Sequence, residues 1–428
     1  MRLFASIFKG GRRLCKHVDY MRVSATLTIY QVHVNISITG MKHSHKGVGI
    51  MRRLVSRPLC AAFFLYFFIC PAAFPFPGAV WEEQLSLGQP LTVRWEYETE
   101  RTVNLTPAAS DGMVYLPLTG GSLLSIRLAD GELNWKEEAG GEFSASPLAD
   151  ERGVYIASEI TAPKSSQYLR ATGALRALAR NSGVTLWMRT LQNPLRGGLA
   201  SNETRLFGGS ADGRVYAMRK ETGEILWTQQ FSEPFASQPV LSGGRLYIGG
   251  ENGTLFALEQ ETGRLAWRYR TRGAVRGSVA VAERMVFFGS ADNYVYALRE
   301  TDGRLRWRLR TGAEVQAVAH TSRGLIVASL DNFVYLLSVR RGDRLWKRQL
   351  AGRIAAQPLI FSDSALFAPL AGDACVALDL KDGKFLNNLP VGEGNNMAAS
   401  PVLGGQVLLV TTRRGLLAFA PTAHEAAK

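Results

Sequence analysis

The residues able to do chemistry in this 428-residue chain are few and far apart. Beyond residue 80 the only histidines are His320 and His424, so no cluster of imidazoles can hold a metal there. The pair His43 and His45 lies in the N-terminal segment. The cysteines are Cys15, Cys60, Cys70 and Cys375, and no two are neighbours. No serine or cysteine stands in a recognisable nucleophile elbow or triad motif. Asp212, Asp292 and Asp331 do recur, but always at the same step of a repeated phrase. Repetition of that kind is turn chemistry, because Asp caps the backbone two residues on. We therefore assign no catalytic, cofactor-binding or metal-ligating residue, and expect no cofactor. What stands out is a tryptophan at regular intervals.

The steps "TGEILW", "TGRLAW" and "DGRLRW" end at Trp227, Trp267 and Trp307. The same Gly-x-x-x-Trp step precedes Trp135, Trp187 and Trp346, while Gly383 keeps the glycine and Asn387 replaces the indole. Trp95 fits the series without the glycine. From 95 to 387 the spacings are 40, 52, 40, 40, 40, 39 and 41. A period near 40 signals an array of supersecondary units. Each unit parses into four short strands: "FASQPVL", "GRLYIGG", "NGTLFALEQ" and "GRLAWRYR" in one of them. Gly243-Gly244, Asn252-Gly253 and Thr262-Gly263 mark the hairpin turns between them. Apolar residues alternate, as at Leu246, Ile248, Leu255 and Ala257, and the 3.6-residue period of a helix is missing. Four antiparallel strands per 40 residues describe a propeller blade.

First-strand patterns occur eight times, from "VNLTPAAS" at 103–110 to "MAASPVLG" at 397–404. Small residues crowd them because inner strands converge on a central channel. The last unit ends at "GLLAFAP" without a fourth strand, and the first is preceded by a spare strand carrying Trp95. The expected fold is all-β: an eight-bladed propeller over 80–422, closed by its N-terminal strand, with 423–428 a tail. Closure removes the open sheet edges. The seven tryptophans, Trp95, Trp135, Trp187, Trp227, Trp267, Trp307 and Trp346, are read as structural, each covering the next blade.

The N-terminal residues read differently. From Met51, three arginines precede an apolar run from Leu59 to Cys70, followed by small residues. That is the layout of a secretory signal peptide over 51–79, and the run is shorter than the roughly 20 residues a membrane span needs. Residues 1–50 show no clear apolar period, and are read as an extension ahead of a start at Met51. Cys70 is a candidate for lipid attachment, with Ile69 standing where lipoprotein signals carry a small residue. The formal charge of +14 is concentrated here. Residues 1–50 carry +7 and 51–79 carry +3, which leaves +4 for the rest. So small an excess excludes a strong nucleic-acid footprint.

The phrase "VYAL…TG…LxW" resembles the PQQ-type propeller repeat, found in quinoprotein dehydrogenases and in the BamB family of outer-membrane assembly factors. The resemblance covers about 90–420 and implies an exported, periplasmic, non-enzymatic scaffold, possessed of eight blades, whose partner is the outer-membrane barrel insertase. A PQQ-dependent dehydrogenase is the alternative, but those enzymes use an adjacent cysteine pair, calcium-binding carboxylates and a catalytic aspartate. A third reading is an exported ligand-binding or sensor propeller.

Function should lie where the repeat breaks. The 52-residue interval contains twelve extra residues, Glu159 to Arg170, between the second and third strands of blade 2. Lys164, Tyr168 and Arg170 are its candidate contacts. Strand alternation puts this insertion on the same face as the segment 189–198, "RTLQNPLRGG", read as a loop. In the BamB family a Leu-Arg-Gly just before a first strand contributes to binding the insertase, and Leu195, Arg196 and Gly197 match it. Leu195 is expected to add apolar contact. The family's acidic pair ahead of the next blade is not matched: Pro234 and Ala236 stand there, and Glu233 is the acid nearby. Arg268, Arg270, Arg272, Arg306, Arg308 and Arg310 form a basic stretch expected on outer strands.

Overall fold

The computed structural model describes residues 22–27, 34–39, 85–160, 172–370, 372–392, 399–413 and 415–422. The chain divides into two compact units, 1–81 and 82–428. In the first, strand Arg22–Leu27 pairs antiparallel with Val34–Thr39. Both segments alternate apolar with polar residues, a period of two that corrects the reading of 1–50 as unpatterned. The signal segment 51–79 lies outside the described residues.

The second unit is an eight-bladed propeller of antiparallel sheets, without helix among the described residues. Blade 4 shows the pattern: Val240–Ser242 lies innermost, then Arg245–Gly249, Thr254–Glu259 and, outermost, Leu265–Arg270. The two middle strands are buried along nearly their whole length, because each blade is covered on both faces by its neighbours. Outer strands alternate exposed and covered residues. A bulge recurs just before the tryptophan: Ala257 pairs with Trp267 and Leu258 with Leu265, which leaves Ala266 as the extra residue.

Blade 8 is composite. Leu91–Glu98 pairs antiparallel with Gly415–Pro421 and supplies its outer strand. The ring is further joined at the centre: Ser400 N donates to Thr106 Oγ1 at 3.0 Å, linking blades 8 and 1, and Thr106 N donates to Ser146 Oγ at 3.2 Å, linking blades 1 and 2.

The tryptophan step explains the seams between blades. Each indole Nε1–H donates to a carbonyl in the third-to-fourth turn of the next blade, for instance Trp227 to Gln260 O at 2.9 Å and Trp267 to Glu300 O at 2.8 Å. The turn glycine of that next blade lies flat against the ring. A Cβ on Gly263 would come within 2.6 Å of Trp227, and one on Gly303 within 2.6 Å of Trp267. These glycines also hold positive φ, +70° and +69°, which other residues rarely adopt. Glycine and tryptophan are thus two halves of one contact, made from adjacent blades. Trp95, although it comes first in the chain, makes this contact from blade 8 onto Gly131 of blade 1.

Candidate partner-binding rim

In each blade the second-to-third turn and the loop to the next blade share one end of the ring. Glu159, where the insertion begins, and Arg196 of the segment 189–198 meet there. The second strand of blade 2 runs Val154–Ile160, so Glu159 closes a strand instead of opening a loop. The first strand of blade 3 begins at Leu195 and the last of blade 2 ends at Leu191. The segment read as a loop over 189–198 is therefore a connection of three residues, Gln192, Asn193 and Pro194. Register fixes this, because Leu195 and Arg196 pair with Ser210 and Gly209 of the second strand.

The three residues of the Leu-Arg-Gly step have different surroundings. Leu195 is 1% exposed and packs among Leu175, Leu191 and Leu206. It anchors the strand and offers no surface for a partner, contrary to the apolar contact expected of it. Gly197 holds φ +77°, and a Cβ there would lie 2.3 Å from the Ala236 carbonyl of blade 4. It also pairs in parallel with Ala145 of blade 2, so it stitches three blades together at the channel. Gly197 is exposed as backbone, and Arg196 carries the step's one side chain at the surface. Its side chain is 39% exposed, and its Nη2 lies 2.5 Å from Glu159 Oε2. That ion pair joins the first residue of the insertion to the arginine of the step. Lys164, Tyr168 and Arg170 lie outside the described residues.

Glu233 belongs elsewhere. It is 4% exposed, and its Oε2 accepts from Asn252 N at 3.0 Å and Thr254 N at 3.3 Å. It caps a turn inside blade 4, where neighbouring blades use an aspartate. Asp292 accepts from Tyr294 N and Tyr296 Oη, and Asp331 from Phe333 N and Tyr335 Oη. Burial, with the hydrogen bond to the carboxylate, pushes both tyrosines well above their usual range. The recurring aspartates thus do turn chemistry, as their repetition indicates.

The sequence reading missed that the arginine-glycine step occurs twice. Val275-Arg276-Gly277 opens blade 5 as Leu195-Arg196-Gly197 opens blade 3. Arg276 grips Glu251 of the preceding blade, with Nη2–Oε2 at 2.7 Å, as Arg196 grips Glu159. A Cβ on Gly277 would lie 2.2 Å from the Gln316 carbonyl, the counterpart of the Gly197 contact. The signal was present as "LRGG" and "VRGS", 80 residues apart. Arg276 also meets Glu314 at 3.6 Å, so two carboxylates hold it where one holds Arg196.

At the opposite end of the ring, a cleft of about 450 Å³ between blades 2 and 3 is lined by Arg152, Tyr155, Trp187, Lys220 and Glu221. Its charges are matched internally: Lys220 Nζ binds Asp150, and Arg152 lies 3.3 Å from Glu221. It clamps two blades. No group of three or more potential metal-ligating side chains occurs among the described residues. Cys375 is buried, and burial pushes its thiol up to about 12.

The family model described as outer membrane protein assembly factor BamB matches residues 171–276 and 271–427. No curated protein matches the sequence. Among solved structures, the chain is similar to the computationally designed protein Ika8, with TM-score 0.65 at 14% identity over 76% of this chain and 98% of that one. It is similar to BamB from Moraxella catarrhalis, with TM-score 0.63 at 15% identity over 79% of this chain and all of that one, 100%. It is also similar to quinohemoprotein alcohol dehydrogenase from Comamonas testosteroni, with TM-score 0.62 at 12% identity over 79% and 78%. At these identities the structural likenesses show the fold. A designed ring, an assembly factor and a dehydrogenase share it, so function rests on the site.

Proposed function

Since the chain belongs to the family described as outer membrane protein assembly factor BamB, we propose that it is an exported, non-enzymatic scaffold in outer-membrane β-barrel assembly. Its partner is the barrel insertase, engaged by the rim where blades 2 and 3 meet. The observation that supports this reading is the Glu159–Arg196 pair, which ties the arginine of the step to the residue where the insertion begins. A guanidinium has five N–H donors in a planar fork, so one bond to Glu159 leaves donors for a partner's carboxylate or carbonyls. Gly197 and Leu195 contribute by position: they hold the strand so that only Arg196 points outward.

Capture of the insertase from detergent-solubilised outer membranes tests the reading. Arg196→Glu should weaken capture tenfold or more, about 1.4 kcal/mol. Glu159→Gln, which frees the arginine, should leave capture intact or raise it. Unchanged capture by Arg196→Glu would make the Leu-Arg-Gly match accidental. Lost capture with an equal fall in melting temperature would make Arg196 structural.

The likeness to a quinohemoprotein dehydrogenase favours a second reading, an enzyme dependent on PQQ. The scaffold reading expects no PQQ uptake in the presence of calcium. Micromolar binding by calorimetry would favour the enzyme.

A further inference from the structure

The perimeter of the ring is electrically lopsided. Segments 261–272, 302–314 and 342–353 contain the outer strands of blades 4, 5 and 6 and carry twelve Lys/Arg against four acids. Segments 91–101 and 131–142 contain those of blades 8 and 1 and carry seven acids against three Lys/Arg. In a ring of eight, blades 8 and 1 stand opposite blades 4 and 5. The excess of positive charge on one edge therefore faces away from the excess of negative charge on the other.

The basic edge is neutralised from within only in part: Arg264 pairs with Glu259, and Arg304 lies 3.5 Å from Asp302. Arg268, Arg270, Arg306 and Arg310 are exposed, and none forms an ion pair with a carboxylate among the described residues. Arg308 lies over the Tyr294 ring at 4.9 Å. Alternation places Arg268 with Arg270 on one face of the outer strand Leu265–Arg270, and Arg308 with Arg310 on one face of the outer strand Leu305–Arg310. Each strand also exposes an apolar side chain near its start, Leu265 at 38% and Leu305 at 42%, with Leu345 at 54% in blade 6. The face lies along the outer perimeter of the ring, and a recess between blades 5 and 6 borders it at Asp343 and Leu345.

We propose that this edge of blades 4–6 rests on an anionic membrane surface, its arginines on lipid phosphates and its leucines among the headgroups. Basic clusters are drawn to such a surface, and guanidinium groups pair with phosphate through their planar fork. Apolar side chains among the cations add the burial that interfacial binding uses. The acidic edge adds a direction. With the basic edge down, blades 8 and 1 turn away from the membrane, so the charge separation itself sets an edge-on orientation. The inference goes beyond the assembly role and does not depend on it.

Arginine footprinting with phenylglyoxal on the full-length chain tests it locally, so that binding through the N-terminal segment does not obscure the answer. The vesicles are phosphatidylcholine alone, or with about 30% phosphatidylglycerol, at low salt. Labelling of Arg268, Arg270, Arg306 and Arg310 should fall at least threefold on anionic vesicles only, with Arg94 and Arg127 unchanged. In flotation, the variant R268Q/R270Q/R306Q/R310Q should lose most of the increment that phosphatidylglycerol adds. Equal labelling on both vesicles would overturn the proposal. So would protection that appears without vesicles as protein concentration rises, which would assign the basic edge to the acidic edge of a second copy. Protection only by an added acidic protein would assign it to a protein partner.

Discussion

Seven seams of this ring are made one way and the eighth another. At the seven, an indole from one blade covers a glycine of the next and donates to a nearby carbonyl, from Trp95 on Gly131 round to Trp346 on Gly383. Between blades 7 and 8, Asn387 stands where the indole would be. Blade 8 has no third-to-fourth turn there, because its outer strand comes from the other end of the chain. With no turn glycine to cover, an indole has no floor. The side-chain amide keeps the polar half of the contact, with Asn387 Nδ2 donating to Gln89 O at 3.0 Å. Thr422 N donates to Pro90 O at 3.3 Å beside it. Stacking follows the covalent turn, whereas the hydrogen bond needs only a carbonyl in place.

This contrast can be broken at four points of decreasing effect. Deleting the strand Leu91–Glu98 removes the Trp95 seam and bares the edge of Gly415–Pro421. The loss should exceed the roughly 3–5 kcal/mol of a single buried tryptophan, read as a large fall in melting temperature or failure to fold. An unchanged melting temperature would refute closure by this strand.

Trp267→Ala comes next, at about 3–5 kcal/mol in denaturant unfolding, because it strips the cover from Gly303 and from Tyr247, whose ring centroid is 5.8 Å away. Asn387→Ala at the odd seam should cost only about 1 kcal/mol, the worth of one hydrogen bond. Asn387→Trp should not repair the series. Without a glycine floor the larger ring overpacks, at about 1–3 kcal/mol. A gain in stability from that change would show the eighth seam to be an ordinary one.

The smallest effect is one of pH. Tyr155 and Tyr247 lie beneath Trp187 and Trp267, and burial pushes both phenols from 10.0 up to about 12. Both are protonated in either state well below pH 10.0, so their contribution is constant there. Between about 10 and 12 the unfolded chain loses these protons while the folded chain keeps them. Stability must therefore fall as pH rises through that window. Tyr155→Phe with Tyr247→Phe should flatten the fall. An equal slope in the variant would place the alkaline loss elsewhere.

Along the sequence alone, the period of 40, the paired turn residues and the alternation determined the blades. Their number and the closing strand followed, since a spare outer strand at one end and a missing one at the other have only one use. Asn387 was visible as a departure, because the spacing marks the position whatever residue fills it. The charges of the basic stretch were equally visible. What the sequence left undecided concerns neighbours brought together across blades. The Leu-Arg-Gly step read as three surface residues, but burial made Leu195 core and close approach made Gly197 a stitch, leaving Arg196. Its partner Glu159 lies 37 residues away and belongs to a different blade. The opposition of acidic and basic edges needed the ring itself. Local patterns dictate strands and turns because these arise between residues near in the chain. Which side chains share a rim is a matter of how the blades close, and only the closed ring decides it.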